Sequence, residues 1–225
     1  MVFKYARISR VERQVLEVPE EPRLLDVIKR RRSVREFEPT ARLSDYDLDY
    51  LIEAARWAPS ARNLQPIEYV IIRSPDRKGM LAEASRQSQP EQASACILAV
   101  GDLWRASMVG DVSSHDVTTR EKGLNWFIYM DCAAAVQNML LAANSRDIDS
   151  LWISSFDDSR VKEDFGLPER FHPLAIVCLG SRRQEPETPP KRDKEEIVHF
   201  EEWKPKEVDD AYLEYSGSIN EDSAR

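Results

Sequence analysis

The sequence predicts one globular domain of interleaved helices and strands, flanked by a polar leader and an acidic tail. Three observations carry that expectation. The 225 residues are 42% hydrophobic and 32% charged, enough apolar material for one substantial core rather than two. Short β-rich apolar runs alternate along the chain with longer stretches of helical spacing. Pro186, Pro189 and Pro190 mark a linker, beyond which Glu207, Asp209, Asp210 and Glu214 make the chain acidic. No internal repeat is visible, so the expected organisation is a leader at 1–21, a domain at 22–185, a proline-rich arm at 186–204 and a tail at 205–225.

Pro22 opens a helix in which Leu24, Leu25, Val27 and Ile28 precede the basic turn 29–32, cations that complement the helix dipole. Ser44 is a good N-cap for a second helix, whose Leu48, Leu51, Ile52 and Ala55 recur at helical spacing until Pro59. Tyr69-Val70-Ile71-Ile72 reads as a buried strand, and a helix is expected over 78–86. Cys96 to Val100 is a second strand, followed by a polar segment, 105–121, too long and mixed for a simple connection, as lids and interface loops often are. From Leu124 to Asn144 apolar residues cover nearly every face, which predicts a central helix buried on most sides. Leu151-Trp152-Ile153 is a third strand, 159–165 a short helix, and Leu174 to Leu179 a fourth strand ending at Gly180. Beyond the linker, Ile197 to Phe200 is expected as an edge strand and, with Trp203, is suited to packing on a second subunit.

Composition excludes several classes. A net charge of −8 would repel nucleic acid or an anionic membrane. The longest apolar runs, 96–100 and 175–179, fall far short of the roughly 20 residues of a membrane span, and residues 1–7 carry no secretory pattern. A soluble cytoplasmic protein is expected. Cys96, Cys132 and Cys178 share no CxxC spacing and read as buried thiols. His115, His172 and His199 are scattered, so no metal site is expected.

Seven glycines with no GxGxxG or GxxxxGK[ST] arrangement leave any phosphate to be held by side chains. Arg30-Arg31-Arg32-Ser33-Val34-Arg35 supplies guanidinium forks and a hydroxyl for that purpose, or else is a solvated helix end complementing the dipole. No GxSxG elbow, HExxH helix or cysteine–histidine pair is present for hydrolysis. The loop 59–66 concentrates Ser60, Asn63 and Gln65 between two prolines; these groups either meet the edge of a polar heterocycle or are ordinary turn residues.

Five segments in order resemble the signatures of the FMN-dependent nitroreductase family. They are Arg31-Arg32-Ser33-Val34-Arg35-Glu36-Phe37, the loop Ala58 to Pro66, Asp131 with Gln137 to Ala143, Trp152 to Asp157, and Val198 to Trp203. The resemblance spans Leu24 to Trp203. It implies an α+β, three-layer sandwich with a central, mostly antiparallel sheet flanked by helices, forming an intertwined homodimer with two FMN sites at the interface. By the same resemblance Arg31, Ser33 and Arg192 match residues that hold the FMN phosphate and ribityl chain, with Lys191 and Arg32 as further candidates. Arg35 matches a cation near flavin N1 and O2 that stabilises reduced flavin. Pro59, Ser60, Asn63 and Gln65 match a loop that reaches the cofactor from the partner, and the arm 186–204 completes the partner's site. Ile153, Ser154 and Ser155 match the segment whose backbone faces the ring near N5.

The implied activity is transfer of hydride from NADH or NADPH to flavin N5, and onward to an electron-poor small molecule, a nitroaromatic or quinone, by a ping-pong mechanism. No protein acid–base pair is required. Relatives of this architecture also include deiodinating, flavin-fragmenting and ring-oxidising enzymes, with such differences expected in the segment 105–121. A non-enzymatic flavin-binding protein is a third reading. It is motivated by the acidic tail and by substituted glycines: Asp147-Ile148-Asp149 stands where relatives often carry Gly-Leu-Gly, and Ser154 where glycine is common. Ile67 replaces an aromatic, and Arg62 replaces a small residue, which either lines the substrate channel, favouring anionic acceptors, or crowds the pocket.

Overall fold

The computed structural model describes residues 23–109 and 121–204. The chain divides into two compact units, the first ending at Gln184 and the second beginning at Glu185.

In the first unit, α1 (Arg23–Arg30) ends in the basic turn that the dipole favours. A capping box starts α2 (Asp45–Arg56): Asp47 N donates to Ser44 Oγ at 3.1 Å, and Ser44 N donates to the Asp47 carboxylate at 3.1 Å. That helix buries Leu48, Leu51 and Ala55. There follow β1 (Ile67–Ile72), α3 (Pro75–Ser85), α4 (Gln89–Gln92), β2 (Ala95–Asp102) and α5 (Leu103–Ser107). A wide helical turn (Gly123–Phe127) leads into α6 (Ile128–Ser145), then β3 (Asp149–Ile153), α7 (Asp158–Phe165) and β4 (Phe171–Gly180). The second unit contains the short α8 (Lys194–Ile197).

The strands form one sheet in the order β1-β2-β4-β3, every neighbouring pair antiparallel. Because side chains alternate across a strand, the two central strands feed two cores. Ile97, Ala99, Val177 and Leu179 pack with Leu51 of α2 and with Val136 and Met139 of α6. Leu98, Ile176 and Cys178 pack on the other face with Leu81 of α3, Val161 of α7 and the buried Val34 and Phe37. The result is α+β in three layers, with the antiparallel sheet in the middle. Each fully buried Leu, Ile or Val contributes roughly 1.5–3 kcal/mol.

The β2–β4 register shifts at Ala99/Val100, where Pro173, lacking an N–H, sits opposite Val100 and Leu174 is the extra residue. Leu174 and Ile128 then close on Gly101, where a Cβ would come within 2.5–2.8 Å of their δ carbons, so this crossing of α6 over the sheet requires glycine.

Three sequence expectations need correction. Tyr69–Ile72 is a strand but not a buried one: β1 is an edge, Ile71 is exposed and only Ile72 is buried. The central helix is buried on one side only, leaving Tyr129 and Met130, with Trp126 just before it, exposed. The run 197–200 forms no strand: Ile197 ends α8 and Val198 is its extended C-cap, with no strand at 199–200. The helical stretch Gly123–Ser145 is long and apolar enough to cross a membrane by length and composition, but its buried side forms the floor of the first core. All three cysteines are buried thiols. The expected lid falls largely on 110–120, outside the described residues.

Candidate functional site

The basic segment begins where α1 ends. Arg31 N still donates to Val27 O at 3.1 Å, and Arg32 turns back so that its Nη1 donates to Lys29 O at 2.6 Å and Arg31 O at 2.9 Å. Arg32 therefore caps helix carbonyls. Ser33 then pairs in parallel with Ser150 of β3, and Val34 N donates to Ser150 O at 3.0 Å. Val34 and Phe37 plunge into the second core, which fixes the backbone and leaves Ser33 half-buried and Arg35 exposed. Arg31 is half-buried, and its guanidinium meets no hydrogen-bond or ion-pair partner among the described residues. Burial, and then the charge of Arg32, lower its pKa from the usual guanidinium value.

Along β3, Ile153 lies three residues beyond Ser150, about 10 Å at strand rise. Ile153 is buried in the second core, while Ser154 and Ser155 are exposed as the chain leaves the strand. The segments 31–35 and 153–155 are thus anchored on one strand. Lys191 and Arg192 belong to the second unit, where both are exposed and Arg192 Nε pairs with Glu196 at 3.0 Å.

The loop 59–65 is built differently. Arg62, Asn63 and Gln65 have φ of 52°, 57° and 49°, the left-handed region that costs a non-glycine residue about 1–3 kcal/mol when imposed. Four contacts impose it. Ala61 N donates to both oxygens of Asp131 on α6 at 3.1 and 3.2 Å, Gln65 N to Ser60 Oγ at 3.0 Å, and Asn63 N to Ser60 O at 2.9 Å. On the far side Arg105 Nη1 donates to Leu64 O at 3.1 Å. Ser60 and Gln65, whose Nε2 donates to Asn63 O, are spent on the loop itself, and the side chains left without partners among the described residues are those of Asn63 and Arg62.

Asp131 and Arg105 had no assigned role in the sequence. The available signals were an aspartate amid the apolar residues of α6, and the N-cap Asp102, fully buried, which accepts from Trp104 N and Arg105 N and pairs with Arg170 at 2.6 Å. Burial raises the Asp131 carboxyl pKa, opposed in part by the Ala61 N–H. Burial, and then Asp131, push the adjacent Cys132 thiol up to about 12, so it is no nucleophile at neutral pH.

A cavity of about 530 Å³ opens against this loop, lined by residues 59–62, Val109, Phe127, Met130, Asp131 and Ala134. It is one part of the candidate site, and the basic segment is the other. Asn144 Nδ2 donates to Val27 O at 2.7 Å, tying α1 to the end of α6 opposite Asp131. Thirteen residues of helix separate Asp131 from Asn144, about 20 Å.

A constellation in this order on this sheet is what the sequence resemblance led us to expect, and the Nitroreductase family model matches residues 28–181. The chain belongs to the nitroreductase family. A protein of Archaeoglobus fulgidus with the provisional description NADH dehydrogenase/NAD(P)H nitroreductase is 30% identical over 80% of this chain and 98% of its own. The NADPH-flavin oxidoreductase of Vibrio harveyi is 28% identical over 83% of this chain and 77% of its own. Among solved structures, the NADPH:FMN oxidoreductase from Vibrio harveyi complexed with NAD+ superposes with a TM-score of 0.72, at 25% identity, over 88% of this chain and 85% of that one. Nitroreductase A from Vibrio parahaemolyticus shares the fold, with a TM-score of 0.74 over 89% of this chain and 85% of its own.

In this nitroreductase-family chain the turn that replaces Gly-Leu-Gly keeps left-handed geometry: Asp147 has φ 56°, and Ile148 N donates back to Ala143 O at 2.9 Å as in a glycine-ended helix. Arg62 lines the cavity rather than filling it, being exposed at its edge.

Proposed function

We propose that this chain is an FMN-dependent oxidoreductase of the cytoplasm, working as a homodimer with NADH or NADPH as reductant and an electron-poor small molecule, a nitroaromatic or quinone, as acceptor. The relatives' names supply the cofactor and reductant, and the observation that carries the reading is Arg31. A cation that has lost part of its water, lies beside a second cation and has no anionic partner among the described residues is an unfinished ion pair. A phosphate completes it, and the Ser33 hydroxyl, held in place by the β3 pairing, adds a second donor. The residues present therefore fit FMN.

Bound FMN supplies the two-electron centre that accepts from NAD(P)H and gives to the acceptor in separate half-reactions. The protein's part is binding, orientation and electrostatics. Arg31 and Ser33 hold the phosphate end. Arg35, two residues on and free of partners among the described residues, would supply a fixed positive charge to stabilise bound reduced flavin, and such a preorganised contact is typically worth roughly 2.7–4 kcal/mol of barrier. The segment 153–155 offers backbone to the ring, and Asn63 projects a free amide from the pinned loop. No proton-transferring side chain is needed.

The spacing along α6 supports the homodimer: the loop and the basic segment are tied to opposite ends of one helix, an arrangement suited to pairing the loop of one copy with the phosphate residues of another. Exposed Leu24 and Ile28 on α1, and Trp126, Tyr129 and Met130 around the start of α6, supply apolar surface for that contact. The test is the visible spectrum of the purified protein under anaerobic conditions. A yellow protein that bleaches on adding NADH or NADPH is expected; a colourless protein that takes up no FMN refutes the reading.

A further inference from the structure

Two charged side chains line the cavity beside the loop, and they are in opposite situations. Asp131 is 9% exposed and both its oxygens accept from Ala61 N. Arg62 is exposed and has neither an ion pair nor a hydrogen bond among the described residues. Other arginines of the first unit, Arg56, Arg73, Arg105 and Arg170, each have a carboxylate partner. The remaining walls are largely apolar: Pro59, Val109, Phe127, Met130 and Ala134.

We propose that Arg62 is a specificity-determining residue that selects acceptors with a flat apolar or aromatic body and an anionic substituent, a carboxylate or sulfonate. The word acceptor rests on the oxidoreductase reading above; the binding preference does not. The apolar walls take the ring. The guanidinium, with its fork of N–H donors, takes the anion in a bidentate contact that a neutral amide reproduces poorly. The backbone at Arg62 is held at φ 52° by contacts on both sides of the loop, so the root of the side chain is already ordered before a ligand arrives, which lowers the entropic cost of the contact. Asp131 does not pair with Arg62: it lies beyond ion-pair distance, and its oxygens accept from the loop backbone instead.

The probes are 4-nitrobenzoate and its neutral analogue 4-nitrobenzamide. Their affinities for the oxidised protein are measured by calorimetry without reductant, and their kcat/KM values with NAD(P)H. Wild type is expected to prefer the carboxylate by at least about tenfold, Arg62→Gln to lose that preference while keeping nitrobenzamide affinity within about twofold, and Arg62→Glu to reverse it. Equal affinity for the two probes in wild type, or a preference that survives Arg62→Gln, overturns the proposal. Selective binding without turnover supports the role of Arg62 in recognition and refutes the oxidoreductase reading instead. Turnover of both probes at one efficiency, indifferent to Arg62, does the opposite.

Discussion

Replacing Asp131 by alanine isolates the contact that holds the strained loop. The carboxylate accepts the Ala61 N–H with both oxygens, at 3.1 and 3.2 Å, and a hydrogen bond to a charged group of this kind contributes roughly 1.5–3 kcal/mol. Part of that is offset, because burial raises the carboxyl pKa and alanine removes the cost of keeping a carboxylate there. The expected net loss is about 1–2 kcal/mol, a fall in Tm of roughly 2–8 °C for a chain of this size. The local effect is larger than the global one. Three left-handed residues, Arg62, Asn63 and Gln65, relax once the anchor is gone, so amide exchange at Asn63, Leu64 and Gln65 should accelerate by roughly 10- to 100-fold. Asp131→Asn keeps an acceptor and should retain most of the protection. The assay is hydrogen exchange on the loop beside thermal unfolding by circular dichroism. Unchanged loop exchange in Asp131→Ala, or equal losses in the alanine and asparagine variants, refutes the anchoring role.

The same carboxyl gives a pH dependence with a definite sign. Its folded pKa is raised above the ordinary 3.8, so the stability it contributes is full below that value and is lost as pH rises through the folded pKa. Urea midpoints for wild type minus Asp131→Asn should therefore drift in favour of asparagine as the pH rises above 3.8; a drift the other way contradicts the burial argument. At the end of α6, Asp147→Gly should stabilise the fold by about 0.5–1 kcal/mol, because it relieves an L-residue of left-handed backbone. Thermal unfolding checks this, and a lowered Tm would show that the Asp147 side chain does more than tolerate the turn.

How much of this was legible in the sequence depends on whether the deciding interaction is local. The start of α2 was readable because Ser44 and Asp47 satisfy each other three residues apart, and its end because Pro59 follows closely. The strands β2 and β4 were readable because both their faces are covered within the chain, which leaves a continuous apolar run. The same rule misread β1, the face of α6 near Tyr129, and 197–200. An apolar run alone does not distinguish a buried segment from the edge or surface that one chain leaves uncovered. At the site, the order of the motifs singled out the segments of Arg31, Ser33, Asn63 and Ser154. It did not show that Arg32 and Ser60 are occupied locally, or that a residue seventy positions away, Asp131, fixes Ala61. A contact of that sequence separation leaves no periodic trace in a single chain.

The central claim is that one cofactor site is assembled from the basic segment of one copy and the loop of another. Its most direct measurement is FMN retention by Arg31→Ala and Asn63→Ala, each alone and then unfolded, mixed and refolded together. Each variant alone is expected to retain little flavin, whereas a random mixture should regain about a quarter of wild-type occupancy, since half the dimers are mixed and each carries one intact site. A mixture that retains no more flavin than the average of its parents would mean that both residues serve a site within one chain, contradicting the account.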